Sequence, residues 1–201
     1  MRMWLRSLLV GAMLWTSGVQ AQVTPDPVNL TALWYDRSQS GHGVNVVHQG
    51  SILFVAWFVY GGDGKVLWFL AAASRQADGR YVGAVNSFNG QPFNLINNAQ
   101  AFTQTNPRGE ARLSLTADGK LDFGYTIDGI TQTRRLEKTE FVANPPVCTF
   151  TTASRTGASN YSDVWWKGGE SGWGLSIIHQ GDLIFIAWYS YGSAGKPMWV
   201  T

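Results

Sequence analysis

The sequence predicts an all-β protein, an antiparallel up-and-down meander closing into a small β-barrel, followed by a second, truncated copy of the same unit. Three observations predict it. Residues 29–70 align with residues 160–201 at a constant offset of 131, without a gap, and 16 of the 42 columns are identical. Repetition on this scale sets the architecture before any local reading does. Turn dipeptides punctuate the first copy at short intervals, at Gln49-Gly50, Asp63-Gly64, Asp78-Gly79, Asn89-Gly90, Asp118-Gly119 and Asp128-Gly129. The runs between them have strand length and composition, and none combines the length and the 3.6-residue period of an amphipathic helix.

Taken in order, residues 1–21 read as a secretory signal peptide. Arg2 and Arg6 supply the positive start, Leu8 to Trp15 the apolar core, and Val19-Gln20-Ala21 the small-residue cleavage site. That core is too short to cross a bilayer as a helix. The expectation is an exported chain, periplasmic or secreted and not membrane-spanning. Losing Arg2 and Arg6 leaves 13 basic residues against 13 acidic ones. A neutral mature chain offers no electrostatic case for a nucleic-acid partner. The one basic cluster, Arg134, Arg135 and Lys138, lies on an alternating stretch and reads as a solvated strand face. The single Cys148, in an oxidising compartment, points to a partner elsewhere or a free thiol.

Residues 22–142 form the complete unit. Asn29-Leu30-Thr31 leads into the first strand, and further strands are expected over Val44–His48, Ser51–Tyr60, Lys65–Ala73, Arg80–Phe88, Ala111–Thr116, Lys120–Thr126 and Ile130–Glu137. Asn94–Pro107 reads as an irregular strand and a loop. Residues 143–159, with Pro145-Pro146 and a Ser/Thr/Gly/Ala run, read as a linker. Residues 160–201 repeat the opening strands of the first copy. Some forty residues are marginal as an independent fold. They are therefore expected to lean on the first copy or on a second chain, or to be poorly ordered, and self-association through this segment is one expectation.

Pairing can be carried to single residues. A two-residue turn at Gln49-Gly50 sets His48 opposite Ser51, Val44 opposite Val55 and His42 opposite Trp57. A four-residue loop over Gly61–Gly64 sets Trp57 opposite Trp68. His42, Trp57 and Trp68 then form a row across three strands, and the second copy yields Trp173, Trp188 and Trp199. The same register places Phe58 over Gly41 and Tyr189 over Gly172, aromatic cover for strand glycines. It also sets Gly43 opposite Ala56.

The motif Trp165-Trp166, Glu170-Ser171-Gly172-Trp173-Gly174, His179-Gln180-Gly181, Ala187-Trp188-Tyr189, Gly195-Lys196 and Trp199 resembles the tandem Trp/Gly-rich β repeat of a family of exported proteobacterial proteins. The first copy matches with Tyr35, Gln39 and His42 in place of Trp166, Glu170 and Trp173. The resemblance implies export, repetition and β structure, and no activity.

Catalysis finds little support. The His and Lys residues kept in both copies are His48/His179 and Lys65/Lys196, and no acidic column is kept, so a duplicated carboxylate pair is absent. Ser40/Ser171 sits in Ser-Gly-x-Gly, which lacks the strand–helix setting of a nucleophile elbow. His42 and His48 share a face but lie too far apart to share an ion. His48 and His179 read as hairpin-end residues bonded to the turn. The Gly-x-Gly elements precede no helix and so are not phosphate loops. What stands out is the tryptophan row, because indole rings stack on sugars and apolar ligands.

The expectation is a non-enzymatic module without a cofactor, binding a glycan or small apolar ligand at an aromatic-lined barrel mouth. His42, Trp57, Trp68, Glu170, Trp173, Trp188 and Trp199 are the candidate ligand-binding residues. The alternative is a structural or protein-interaction module of the cell envelope, with the aromatics as core.

Overall fold

The structure, a computed structural model, describes residues 28–97, 103–104, 107–145 and 160–201. The signal-peptide, Cys148 and most of the linker expectation lie outside these described residues. In chain order the strands are β1 (Ala32–Tyr35), β2 (Gly43–Gln49), β3 (Ile52–Tyr60), β4 (Val66–Arg75), β5 (Tyr81–Val85), β6 (Phe88–Asn89), β7 (Thr103–Gln104), β8 (Gly109–Leu115), β9 (Leu121–Ile127) and β10 (Ile130–Lys138). The second copy adds β11 (Asp163–Trp165), β12 (Gly174–Gln180), β13 (Leu183–Tyr191) and β14 (Pro197–Val200). One 3-10 turn, Phe93–Leu95, lies between β6 and β7. Among the described residues no helix is long and apolar enough to cross a membrane.

Eight strands close into an antiparallel barrel in the order β1-β10-β9-β8-β5-β4-β3-β2. It is an up-and-down meander, as expected, with β10 returning to β1 through Trp34 opposite Lys138. An eight-stranded barrel is just wide enough for its own side chains to fill. Here the filling includes Trp34, Val46, Leu53, Trp57, Phe69, Leu113 and Phe123. β6 and β7 form a separate two-stranded ribbon, so the expected strand over Arg80–Phe88 is cut short at Val85. β11 to β14 form a four-stranded sheet in sequence order.

His48 closes one end of the barrel. Its Nδ1 accepts from the Leu30 amide at 3.3 Å, while Nε2 lies 3.0 Å from the Gly50 carbonyl and 2.9 Å from the Tyr81 hydroxyl. An amide at one nitrogen and a carbonyl at the other select the neutral ring with its proton on Nε2. His179 repeats the pattern with the Tyr161 amide at 3.2 Å and the Gly181 carbonyl at 2.8 Å.

The expected registers need correction, and the two hairpins fail differently. Between β2 and β3 the turn is Gly50-Ser51, so Gln49 faces Ile52 and Val44 faces Trp57. Gly50, at φ +61°, occupies the first turn position, where a type II′ turn demands a left-handed backbone. Moving the turn by one residue shifts each pair by two, so every side chain keeps its face. Between β3 and β4 the loop is longer. Gly64 donates to the Gly61 carbonyl at 2.9 Å and Gly61 to the Lys65 carbonyl at 2.8 Å, with Gly64 at φ +74°. This is a type I turn followed by a left-handed glycine. The extra residue sets Trp57 opposite Phe69 and Phe58 opposite Trp68. A one-residue slip moves a whole strand's pairing to the other face. Trp68 therefore points outward while Trp57 points into the barrel.

Candidate functional site: an aromatic cleft between the copies

Because β-strand side chains alternate, β2, β3 and β4 fill the barrel with one set and present another set outward. The outward set includes Asn45, Phe54, Ala56, Phe58, Trp68 and Leu70. At the matching positions the second sheet carries Ser176, Phe185, Ala187, Tyr189 and Trp199, and the two faces pack on each other as a second core. The contacts are reciprocal. Trp68 Nε1 donates to the Ser190 carbonyl at 3.0 Å, and Trp199 Nε1 donates to the Val59 carbonyl at 3.3 Å. Trp68 lies 5.7 Å from Tyr191 and 5.9 Å from Tyr189, while Trp199 lies 5.6 Å from Tyr60 and 5.0 Å from Phe58. Every one of these contacts maps onto another under the 131-residue offset, so the copies meet about a local two-fold axis through one self-complementary patch. This accounts for several identities between copies: Phe54, Ala56, Tyr60 and Trp68 and their partners are interface residues.

The symmetry breaks at one place. In the first copy the Phe58 ring lies on Gly43, with Cζ 2.6 Å from where a Cβ would stand. In the second copy Tyr189 occupies the position of Phe58, but Asn45 Nδ2 donates to its hydroxyl at 2.9 Å. A Cβ on Gly174 would meet Trp165 O at 3.2 Å and no other atom within 4 Å. The uncovered space is a cleft of about 260 Å³. From the barrel side Phe54, Trp68, Leu70 and Phe88 line it. From the second sheet come Val164, Trp166, Gly172, Trp173, Gly174, Ser176 and Tyr189. Phe88, on the β6 ribbon, stacks on Trp68 at 5.3 Å.

No charged residue lines this cleft. Two of its lining residues, Trp173 and Ser176, each bury a polar atom, Nε1 and Oγ, that lacks a hydrogen-bond partner. An unpartnered buried polar atom is costly and calls for an explanation. Burial pushes the Tyr189 hydroxyl well above its ordinary pKa, so it stays neutral beside Asn45.

The predicted site residues do not form the two expected rows. Trp68 and Trp173 both line the cleft. Trp57 is sealed in the barrel against Phe69, Phe123 and Tyr125 at 5.4, 5.3 and 4.6 Å. Trp188 faces away from the cleft and meets Phe93 at 5.8 Å, because Tyr189, not Trp188, stands opposite Trp199. Trp199 packs on Phe58 at the symmetry-related position. His42 is half-buried 3.4 Å from Gln39 Oε1, and burial followed by the nearby Arg134 charge lowers its pKa. Glu170, only 7 % exposed, binds Lys167 Nζ at 2.5 Å and does not line the cleft. The aromatic cover on glycine exists, with Phe58 on Gly43 where Gly41 was expected, and Ala56 stands opposite Asn45. Among the described residues no three His, Cys, Asp or Glu side chains converge as metal ligands.

Sequence reading missed Phe54, Phe88, Ser176 and Tyr189. Phe54 was visible as a kept column. Phe58/Tyr189 and Asn45/Ser176 were visible only as differences between the copies, and a filter for identity discards differences. No protein-family model, curated protein or solved structure matches this chain.

Proposed function

We propose that this is an exported, non-enzymatic β-barrel repeat module that binds a small apolar ligand in the cleft between its two copies. The observation that carries this reading is the 260 Å³ aromatic-walled space. Ligand sites are mostly apolar concavities. A glycan fits less well, since its many hydroxyls need polar partners that this lining does not offer. The absence of a kept acidic column, and of a strand–helix setting for the kept Ser40/Ser171, supports a binding role, and the signal-peptide pattern supports a periplasmic or secreted location. Titration of intrinsic fluorescence against small neutral lipids and envelope polysaccharides tests the reading. We expect saturable quenching with the lipids and none with the polysaccharides. No response to any lipid, or a response that survives Gly174→Val, would overturn it.

A second reading is favoured by a separate observation. The face of the second sheet that corresponds to the barrel interior is open, with Trp165, Ile184, Ile186 and Val200 at 47, 43, 43 and 50 % exposure. β11 and β14 are the edges of that sheet. Exposed apolar edges invite strand pairing, so this segment is a surface for self-association. Concentration-dependent mass in light scattering, abolished by Ile184→Lys/Ile186→Lys, is the expected result. A monomer at every concentration would exclude it.

A further inference from the structure

The cleft sets limits on what it can hold, and the following rests on its reading as a ligand site. At roughly the 20–30 Å³ that a water-sized group occupies, 260 Å³ takes on the order of ten non-hydrogen atoms. With no charged side chain in its lining, an ionised ligand would lose its hydration for nothing. Trp173 Nε1 and Ser176 Oγ are buried within the walls with no surface open to the cleft, so a ligand there is held by apolar contact and shape.

We propose that the cleft takes a neutral, largely apolar molecule, and that Tyr189 is the positioning residue that keeps the space over Gly174 open for it. The pseudo-symmetric partner site shows what happens without that hold. Phe58 has no hydroxyl, and Ser176, the counterpart of Asn45, is too short to reach across, so the ring falls onto Gly43 and fills the space. Two side-chain differences, Phe58/Tyr189 and Asn45/Ser176, therefore decide which of two equivalent positions is core and which is site.

Calorimetric titration of the whole chain with decan-2-one, undecane and decanoate, similar in size, tests this. We expect decan-2-one to bind and decanoate to bind at least about 100-fold more weakly. Tyr189→Phe, which also loses the Tyr189 hydroxyl's bond to the Ala56 carbonyl at 3.5 Å, and Asn45→Ala should each remove binding of both neutral probes, and the double variant should be no worse than Tyr189→Phe alone, because that variant has already lost the Asn45 bond. Near-UV circular dichroism verifies that each variant is folded. If Tyr189→Phe fails to fold, Gly174→Ala, which narrows the same space and keeps the bond, replaces it and should weaken both neutral probes. Failure of every probe on folded wild-type protein would overturn the ligand reading itself. Binding in which decanoate binds as tightly as the neutral probes would leave that reading and overturn the neutral-ligand assignment. Unchanged binding in folded Tyr189→Phe would overturn the role of Tyr189.

Discussion

Trp57 and Trp188 are the same residue in the same column of the repeat, and truncating each to alanine should have very different consequences. Trp57 is 6 % exposed inside the closed barrel and touches three other aromatic rings. A buried indole hides roughly 200 Å², and at about 25 cal/mol/Å² that is about 5 kcal/mol. Eight hydrogen-bonded strands cannot collapse onto the vacated space, so Trp57→Ala should cost about 3–5 kcal/mol. Trp188 lies on the corresponding face of β13, but no opposite wall covers that face among the described strands. Its Nε1 is also buried without a partner, and that penalty disappears with the ring. Trp188→Ala should cost only about 1 kcal/mol. Urea unfolding followed by far-ultraviolet circular dichroism reads both values on the same baseline. If Trp188→Ala costs as much as Trp57→Ala, the reasoning is refuted, because the inner-type face of the second sheet would then be as enclosed as the barrel core.

Three further outcomes follow. A Cβ at Gly109 would fall on the Thr126 carbonyl of the neighbouring strand, so Gly109→Ala should separate β8 from β9 and cost more than about 3 kcal/mol, where the same change in an unobstructed strand would gain up to about 1 kcal/mol; equal unfolding midpoints for variant and wild type would show the strand can shift without cost. Gly64→Ala, at φ +74° with open space around it, should lose about 1 kcal/mol through backbone strain alone, and Gly64→Asn should recover most of it; indistinguishable Ala and Asn variants in thermal melts would argue against a left-handed loop residue. The third concerns pH. Burial, with Arg134 second, lowers the folded-state pKa of His42. Between that value and the unfolded value near 6.5 the unfolded chain binds more protons. Stability should therefore fall as pH drops below about 6.5, and this part of the loss should vanish in His42→Gln; an identical pH 7-to-5 decline in the variant would contradict it.

Local chemistry made much of the fold legible. Asx-Gly punctuation placed most of the barrel turns, and alternation assigned Val44, Val46, Leu53, Val55 and Trp57 correctly to one face even where their partners were misjudged. His48 was legible as a hairpin-end residue because a His before Gly-x can reach the turn carbonyl. The tryptophan row failed over one residue in the loop after Tyr60. Whether the stretch after Tyr60 closes with four or five loop residues depends on where the left-handed backbone falls, and composition does not say. That single residue sends Trp68 from the barrel interior to its outer surface.

The amino-acid order by itself determined the β class, the meander and the repetition, since each rests on periods and turn preferences that act within a few residues. It also determined that both copies expose equivalent faces, because identical side-chain alternation makes any patch on one copy available on the other. Only the tertiary structure decided that those faces meet each other, that they do so about a two-fold axis, and that one of two equivalent positions stays open. The reason is that a cavity is a mismatch between surfaces distant in sequence. It depends on a hydrogen bond between Asn45 and Tyr189, 144 residues apart, and on a ring that the bond holds away from a glycine.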